Sequence, residues 1–391
     1  MRIVHCADVH IGMEFSLNRM KSKSRKAEIV QGFLRIVEYC RSHEADVLLI
    51  AGDLFDNENI DAAVEEQIKQ ALGSIPQVDV YIAPGNHDPL TASSPYSGEG
   101  WSENVVIFNA KPRIIERPDR GYRIWGCGFE SSFSESRFMM GVRMPKDELI
   151  NLGIVHGQLV GKNGSSTYNP ITDADIDKSG FDYLALGHVH KQTEINRIGN
   201  TFFAYPGTPE GQGFDEDEIK GFYTGEISKK LLARNELIME YVSLSMRRYY
   251  HVNVDVTGTD SRQELFDRIE KALEDTVKDD ITVAVESDNR IENNLYKLTL
   301  EGALEQRNFI SVEELSARLA MQLYYITIKD NTTLLIDYEA LAKENSLKGI
   351  YTAKMLDNIR MKEQAGDEAG AGLYKKALEL GIRAFDGEVS M

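Results

Sequence analysis

The sequence predicts an α/β domain over residues 1–245, a smaller α+β capping domain at 246–335 and a helical segment at 336–391. Short, almost wholly apolar runs recur in the first part, as expected for strands that are covered on both faces. Apolar residues at helical spacing separate these runs. After residue 245 the apolar residues of the strand candidates alternate with polar ones, which indicates strands with one buried face.

The strand candidates of the first domain are Ile3–Val4, Val47–Ala51, Val80–Ala83, Leu152–Val155 and Tyr183–Leu186. Between the first two, a helix is predicted from the spacing of Ile29, Val30, Phe33, Ile36, Val37 and Cys40. In such open α/β sheets, ligand-binding groups gather beyond the carboxyl ends of the strands.

The second domain has the predicted order βαββαβ. Its strand candidates are the alternating run Tyr250–Val256, then Ile281–Glu286, Leu295–Glu301 and the alternating residues Tyr324, Ile326 and Ile328. One helix carries Leu265, Phe266, Ile269 and Leu273, and the other begins at the capping pair Ser311 and Glu314. From about Tyr338 the chain is predicted to be helical and amphipathic, with a break at the glycine-rich stretch Gly366–Gly372. Its apolar face packs on this chain or docks on a partner helix.

The composition is that of a globular protein: 42% of the 391 residues are hydrophobic and 27% are charged. No apolar stretch approaches the length of a membrane span, and Met1–His5 is too short for a signal peptide. Cys6, Cys40 and Cys127 follow no metal-binding spacing. We therefore expect a cytoplasmic protein with reduced thiols and no membrane association.

The formal net charge is −18. Such a chain binds nucleic acid poorly without a local basic patch, because neutralisation of phosphates drives that binding. The densest basic stretch holds Arg19, Lys21, Lys23, Arg25 and Lys26. It is either a contact to the DNA backbone or the solvated start of a helix.

Five polar motifs follow the apolar runs, and they contain five of the eight histidines. The motifs are DVH at Asp8–His10, GDLFD at Gly52–Asp56, GNHD at Gly85–Asp88, HG at His156–Gly157 and GHVH at Gly187–His190. Any one of them alone is an ordinary loop sequence. Together they predict a hydrolytic site that holds two divalent cations about 3.5–4 Å apart and cleaves phosphodiesters with metal-bound hydroxide.

Two cations that share a bridging carboxylate need about three further ligands each. The motifs supply this number: Asp8, His10, Asp53, Asn86, His156, His188 and His190. His87 follows a ligand and is the predicted acid for the leaving group, with Asp88 as its orienting partner. Of the other histidines, His5 is either a core residue or supports the ligands, His43 is predicted at a helix end, and His251 has no assigned role.

These motifs together resemble those of the calcineurin-like metallophosphoesterase superfamily. The segments IVHCADVHIG, IAGDLFDN, APGNHDP, VHGQ and LALGHVHK, with FFAYPGTPEGQGFDE after them, are similar to SbcD-type and YhaO-like DNA repair exonucleases. The resemblance implies a four-layer α/β/β/α sandwich with two metal ions, manganese or alternatively iron. It also implies DNA as substrate and an SbcC-like coiled-coil ATPase as partner, with a homodimer as a further possibility.

The resemblance further implies how the ligands divide. One metal would be held by Asp8, His10, Asp53 and His190, and the other by Asp53, Asn86, His156 and His188. Archaeal and eukaryotic break-repair nucleases of this family carry histidine where this chain has Asp56, so a role in orienting DNA does not transfer to that position. We assign Asp56 either a supporting role beside the ligands or a place in the turn.

Three functions are compatible with these features. The first is a two-metal DNA repair exonuclease or endonuclease subunit. The second is a metallophosphodiesterase of nucleotides or cyclic nucleotides, which the acidic charge favours. The third is a scaffold without activity, which is disfavoured because no ligand is missing.

Overall fold

The computed structural model describes residues 1–162, 164–243, 245–278, 280, 290–304, 311–334 and 336–385. The predicted strand Ile281–Glu286 lies outside these residues. The chain forms two compact units. The first contains Met1–Val252, Leu273–Lys297 and Arg318–Thr327, and the second contains Asn253–Ala272, Leu298–Ala317 and Ile328–Met391. The limits at residues 245 and 335 stay predictions.

The strands in the described part of the chain are β1 (Arg2–Cys6), β2 (Val47–Ile50), β3 (Asp79–Ile82), β4 (Val105–Ile107), β5 (Arg113–Arg117), β6 (Tyr122–Cys127), β7 (Ile150–His156), β8 (Gln158–Val160), β9 (Pro170–Thr172), β10 (Tyr183–Gly187), β11 (Asn196–Ile198), β12 (Thr201–Ala204), β13 (Phe222–Glu226), β14 (Ile238–Val242), β15 (Tyr249–Asp255), β16 (Leu295–Glu301), β17 (Ala303–Leu304), β18 (Tyr325–Asp330) and β19 (Thr333–Leu334). The α-helices there are α1 (Arg19–Ser42), α2 (Ala62–Gly73), α3 (Asp173–Ser179), α4 (Lys229–Leu232), α5 (Arg262–Lys278), α6 (Val312–Leu319), α7 (Tyr338–Leu341), α8 (Leu347–Gln364) and α9 (Glu368–Phe385).

Two six-stranded sheets dominate the first unit. Their strand orders are β14-β13-β1-β2-β3-β4 and β11-β12-β10-β7-β6-β5. In the first sheet, β1 to β4 are parallel; in the second, β6, β7, β10 and β12 are parallel. A third sheet has the order β15-β16-β18.

Alternation along each central strand sends side chains into two different cores. In β1, Val4 and Cys6 pack with the apolar residues of α1 and α2, whereas Ile3 packs between the two sheets. In β10, Tyr183 faces the same inter-sheet core, and Leu184 packs against residues of α3. The layers are therefore helix, sheet, sheet and helix, which confirms the predicted α/β/β/α sandwich. It also explains why these strands are apolar on both faces.

The later parts of the chain agree with the sequence in most respects. In β15 the predicted alternation holds, since Tyr250, Val252 and Val254 are buried and the residues between them are exposed. The Ser311 hydroxyl accepts from the Glu314 backbone at the start of α6, as a helix cap does. The predicted break over Gly366–Gly372 is shorter than expected, because α9 already begins at Glu368. Only the first glycine, with φ +72°, takes the left-handed conformation.

Among the described residues, no helix combines the length and the apolar character that crossing a bilayer requires.

His5 belongs to the core. Its side chain is fully buried on β1, where Nδ1 lies 2.9 Å from the Tyr183 hydroxyl and Nε2 lies 3.2 Å from the Leu186 carbonyl oxygen. Both partners come from β10 in the other sheet, so the neutral ring joins the two sheets. Burial lowers the pKa of His5 to about 3.

Acid should therefore destabilise the fold through His5. Between pH 6.5 and about 3 the unfolded chain binds a proton at this position and the folded chain does not, so stability is lost as the pH falls. In this window the unfolding free energy should drop by about 1.4 kcal/mol per pH unit more in the wild type than in His5→Gln. Urea titrations of metal-free protein from pH 6.5 to 4.5 measure this difference.

His43→Gln is the matched control, because His43 is exposed at the end of α1. It should keep the wild-type slope. Equal slopes for the wild type and His5→Gln would show that the His5 ring is protonated in the folded protein.

Candidate metal centre

The loops after β1 and β2 continue the pairing of their strands. The Asp8 backbone N donates to the Gly52 carbonyl at 3.0 Å, and the His10 backbone N donates to the Asp53 carbonyl at 2.9 Å. The DVH and GDLFD motifs therefore run side by side beyond the sheet. Since β7 and β10 end opposite them, the motifs of both sheets meet at one edge of the sandwich.

Four of the predicted ligands have strained backbone conformations. Asp8, His10 and Asp53 have φ angles of 54°, 52° and 50°, and His188 has a φ of 114°. Residues with a side chain adopt positive φ rarely, and such residues cluster at functional sites. The strain turns consecutive side chains of each loop toward the same small volume.

Two motif glycines allow the loops to approach one another closely. Gly52 has a φ of +95°, and a Cβ atom there would lie 2.2 Å from Nδ1 of His156. A Cβ atom at Gly85 would lie 2.1 Å from Oδ1 of Asp53. No larger residue fits at either position without moving a ligand.

The structure brings all seven predicted ligands together. The potential ligand atoms of Asp8, His10 and His190 lie within 4.8 Å of one another, and so do those of Asp8, Asp53 and His156. The His156 Nε2 atom lies 3.0 Å from Oδ1 of Asn86. That oxygen in turn lies 3.3 Å from Nδ1 of His188.

Two of the predicted histidine ligands contact a carboxylate through Nδ1. Nδ1 of His10 faces the Asp56 carboxylate at 3.0 Å, and Nδ1 of His190 faces the Glu216 carboxylate at 2.7 Å. A carboxylate only accepts, so each Nδ1 carries a hydrogen. The two Nε2 atoms lie 3.1 Å apart, which requires a proton or a metal ion between them. Burial would lower the pKa of His10, but the Asp56 hydrogen bond and the neighbouring carboxylates outweigh it and raise the pKa, so this place attracts positive charge. Imidazole nitrogens and carboxylates around such a place fit a bound metal ion.

His156 repeats this arrangement on the second sheet. Its Nδ1 atom donates to the Ala51 carbonyl at 3.0 Å, and its Nε2 atom is directed at Oδ1 of Asn86 and at Oδ2 of Asp53, the latter at 3.3 Å. Burial would lower the pKa of His156, but the Asp53 and Asp8 carboxylates outweigh it and raise the pKa to about 9, so a metal ion at Nε2 would take the place of a proton. Burial and, to a smaller extent, the nearby His156 lower the pKa of His188 to about 4. The His188 ring is therefore neutral. Neutral imidazoles and a carboxylate are the ligands that transition metals prefer.

Asp56 and Glu216 hold the ligand histidines in place. The structure gives Asp56 the supporting role that the sequence had left open, through its contact with His10. Glu216, in the loop after β12, also accepts from the Thr208 hydroxyl and the Gln212 backbone and pairs with Lys220 at 3.1 Å. Carboxylates of this kind fix the tautomer and the direction of a metal-binding histidine.

His87 lies at the open side of the centre, and its side chain is 45% exposed. Its backbone N donates to Oδ1 of Asp53 at 2.9 Å, and its Nδ1 faces the Asp56 carbonyl oxygen at 3.2 Å. That hydrogen bond leaves Nε2 as the ring atom available to a substrate.

Asp88 is not the orienting partner of His87, which corrects the prediction. Its fully buried carboxylate accepts hydrogen bonds from the backbone N atoms of Asp53, Gly85 and Phe55 and from the Tyr96 hydroxyl. These bonds occupy both oxygens, so Asp88 fixes the loops that carry Asp53 and Asn86. The side chain that lies near His87 is Asp56.

The predicted basic patch is only partly exposed. Arg25 is fully buried, where it pairs with Glu28 at 2.6 Å and donates to the Gly211 carbonyl at 2.7 Å, so it cannot reach DNA. The Lys21 ammonium donates to the Tyr324 backbone carbonyl. Arg19 and Lys23 are exposed on the first turns of α1, and their contact with DNA stays a prediction.

The sequence did not reveal Glu216 or Asn169. Asn169 donates to the His156 carbonyl at 2.8 Å and accepts from the Phe138 backbone at 2.9 Å, which anchors the HG motif. Neither residue belongs to the five polar motifs, although Glu216 ends the segment FFAYPGTPEGQGFDE that carries part of the resemblance. Glu216 could have been suspected only because its acidic, glycine-rich loop follows the last ligand.

Comparisons with known proteins agree with this site. Residues 1–192 match the model of the calcineurin-like phosphoesterase family. The chain is 27% identical over 286 residues to the uncharacterized metallophosphoesterase YhaO of Bacillus subtilis, covering 69% of this chain and 67% of that protein. It is 27% identical over 294 residues to the DNA double-strand break repair protein Mre11 of Methanopyrus kandleri, covering 69% and 63%. It is 23% identical over 253 residues to the SbcD component of the nuclease SbcCD of Bacillus subtilis, covering 55% and 63%.

Residues 1–192, which carry all seven predicted ligands, therefore belong to the calcineurin-like phosphoesterase family. The family identifies a metal-dependent phosphoester hydrolase. The matches span about two thirds of the length of these curated relatives.

Glu216→Gln should weaken metal binding, because the neutral amide no longer fixes the Nδ1 hydrogen of His190 with a charge. Loss of such a supporting group costs about 10- to 100-fold in metal affinity. Titration of the metal-free protein with Mn²⁺ by calorimetry measures the change. Glu218→Gln is the matched control, because Glu218 also contacts Lys220, at 2.8 Å, and should stay within about threefold of the wild type. Equal affinities in the two variants would contradict the role of Glu216.

Arg25→Ala should destabilise the fold rather than weaken DNA binding alone. Breaking a buried ion pair costs about 3–5 kcal/mol, and here the change also removes a cation that lies 3.6 Å from buried Glu210. Urea unfolding followed by circular dichroism measures this loss. Lys23→Ala, an exposed change on the same helix, should leave stability within about 0.5 kcal/mol of the wild type. If Arg25→Ala has the same unfolding free energy as Lys23→Ala, the buried ion pair contributes nothing to stability.

Proposed function

We propose that this chain is a manganese-dependent phosphodiesterase that cleaves DNA from its ends, as the nuclease subunit of a bacterial DNA repair complex in the cytoplasm. The observation that carries the hydrolytic part is the convergence of His10, His190, His156 and Asp53, whose Nε2 and carboxylate oxygen atoms lie 3.1–3.8 Å apart around one small volume. The DNA substrate is supported by the similarity to the Mre11 and SbcD proteins, whose names state break repair and nuclease activity.

Two divalent cations at the seven ligands would activate water and neutralise the phosphate oxygens. Asp53 lies between the two groups of histidines, 3.8 Å from Nε2 of His10 and 3.3 Å from Nε2 of His156, and is the proposed bridge. Iron is the alternative metal, since imidazole and carboxylate ligands also suit it.

His87 is the proposed acid. Its ring packs edge-on against His10, with centroids 4.7 Å apart, and the Asp56 carbonyl holds its Nδ1 hydrogen. An imidazolium in this position can pass its Nε2 proton to the leaving oxygen of the substrate. The 45% exposure of the side chain allows a polymer to reach it from the open side.

The helical hairpin at the end of the second unit is the proposed docking element for a coiled-coil ATPase. Ile359, Leu378 and Ile382 are buried where α8 and α9 pack together, so part of the predicted apolar face serves this chain. Other large apolar residues of the hairpin remain exposed: Leu347, Ile350, Met361, Leu373 and Leu380. An exposed apolar helix pair is the type of surface that packs against partner helices.

A nucleotide or cyclic-nucleotide phosphodiesterase is the second candidate. The net charge of −18 favours it, because a small substrate needs no extended positive surface.

Asp53→Asn should abolish hydrolysis of DNA with Mn²⁺ while the protein stays folded, because Asp53 lies on a loop beyond β2. A metal ion is worth several kcal/mol of transition-state stabilisation, so the rate should fall about a thousandfold. Metal content by mass spectrometry should fall with it. Asp119→Asn, at an exposed carboxylate, is the control and should match the wild type. Full activity of Asp53→Asn would overturn the site assignment.

Comparing the turnover rates of three classes of molecule under the same conditions identifies the substrate. The three classes are linear DNA with free ends, closed circular DNA and cyclic nucleotides. We expect Mn²⁺-dependent release of nucleotides from linear DNA and little from closed circles. A higher kcat/KM for cyclic nucleotides than for DNA ends would establish the second candidate instead.

A further inference from the structure

A cavity of about 290 Å³ opens in the first compact unit beside the loops that carry the ligands. Ten residues line it, and four of them are aromatic: Phe15, Phe214, Tyr249 and Tyr325. Gln212 and Lys297 are also part of the lining. Its volume is at the small end of the range for ligand pockets.

The aromatic rings of the cavity form one group around Phe214. Its ring lies 5.0 Å from that of Tyr249, nearly perpendicular to it, and 6.4 Å from that of Tyr325, at a tilt of 38°. Phe214 and Tyr325 are only half-buried, so each has ring surface open to the cavity. Open aromatic surface of this kind stacks on flat ligands.

Gln212 connects the cavity to the metal centre. Its side-chain amide donates to the Asp8 carbonyl at 3.3 Å, and its backbone N donates to Oε2 of Glu216 at 3.1 Å. Asp8 is a predicted ligand, and Glu216 holds the ligand His190. Gln212 is thus part of the cavity lining and also contacts one predicted ligand and the support of another.

The charge of the cavity differs from that of the whole chain. Among the described residues that line it, Lys297 carries a full charge and none is a carboxylate. The lining therefore offers an anionic ligand one cation and no repelling carboxylate, in a chain of net charge −18.

We propose that this cavity binds a nucleobase of the substrate next to the phosphate being hydrolysed. The proposal rests on the proposed function, under which the base belongs to the DNA strand that is cut. Aromatic faces stack on any base, and the hydroxyl groups of Ser16 and Thr327 on the lining can meet its polar edge. Lys297 is placed to pair with a neighbouring phosphate.

Two cavity variants, Phe214→Leu and Tyr325→Leu, test this proposal in full-length protein that also carries His87→Ala. That background keeps all seven metal ligands and slows cleavage. Fluorescence anisotropy of a labelled single-stranded oligonucleotide with Mn²⁺ gives the dissociation constant. Each variant should bind about tenfold more weakly, as loss of one base–aromatic stack does. Phe385→Leu, at an exposed aromatic residue of α9, is the control and should bind as the background does. Thermal unfolding of each variant confirms that it is folded.

An abasic residue moved along the oligonucleotide identifies the base that enters. At one position the abasic residue should raise the dissociation constant of the background protein about tenfold. At that same position it should raise the dissociation constant of Tyr325→Leu by less than about twofold, because that variant has already lost the stack. If the abasic residue costs the same in both proteins at every position, or if both cavity variants bind like the control, the cavity does not bind a base. The proposed DNA function would survive that result.

Binding of the mononucleotide dAMP shows whether the base in the cavity comes from a DNA strand or from a free nucleotide. Binding of dAMP that depends on Phe214 and Tyr325, without binding of DNA, would support the base site and overturn the DNA substrate. Binding of neither would overturn both.

Discussion

The Asp53 carboxylate is the contact on which the site depends. It lies on a loop of the first sheet, yet it is 3.3 Å from Nε2 of His156 in the second sheet and accepts the His87 backbone hydrogen at 2.9 Å. Burial would raise the pKa of this acid, but the adjoining histidines outweigh it and lower the pKa. Such a buried negative charge is stable only with positive charge or hydrogen-bond donors around it. The two sheets can therefore meet closely at this edge because the ligands compensate one another.

The support for Asp53 comes from groups that perform no chemistry themselves. Asp88 accepts from the Asp53 backbone N at 3.2 Å, and Gly85 leaves the space that the carboxylate occupies. These contacts hold a backbone whose φ of 50° is otherwise unfavourable. The strain is thus maintained by a rigid sandwich, which keeps the ligand atoms in position before any metal arrives.

The sequence predicted the layers, and it predicted that the seven proposed ligands lie together, because both follow from local rules. Strand periodicity fixes which side chains enter each core, and the carboxyl ends of parallel strands place the motifs together. The prediction from the sequence failed for Asp88 and Arg25, because they contact backbone atoms and residues that are distant in sequence. Arg25 looks like a surface cation beside Lys23, and its contacts with Gly211, 186 residues away, and with buried Glu210 belong to the core. Glu216 was missed for the same reason, since its bond to His190 joins two loops with no shared pattern.

The acidic charge of the chain does not describe the field that a substrate meets. Near the metal centre the carboxylates are already engaged: Asp56 with His10, Glu216 with His190 and Lys220, and Asp88 with backbone donors. Bound cations would add positive charge at the same place, and the lining of the aromatic cavity adds Lys297 without an acid. Screening limits the reach of the distant surface carboxylates to about 10 Å. A polyanion can therefore bind at this edge of the sandwich although the molecule as a whole repels it, provided that the local contacts include stacking as well as charge.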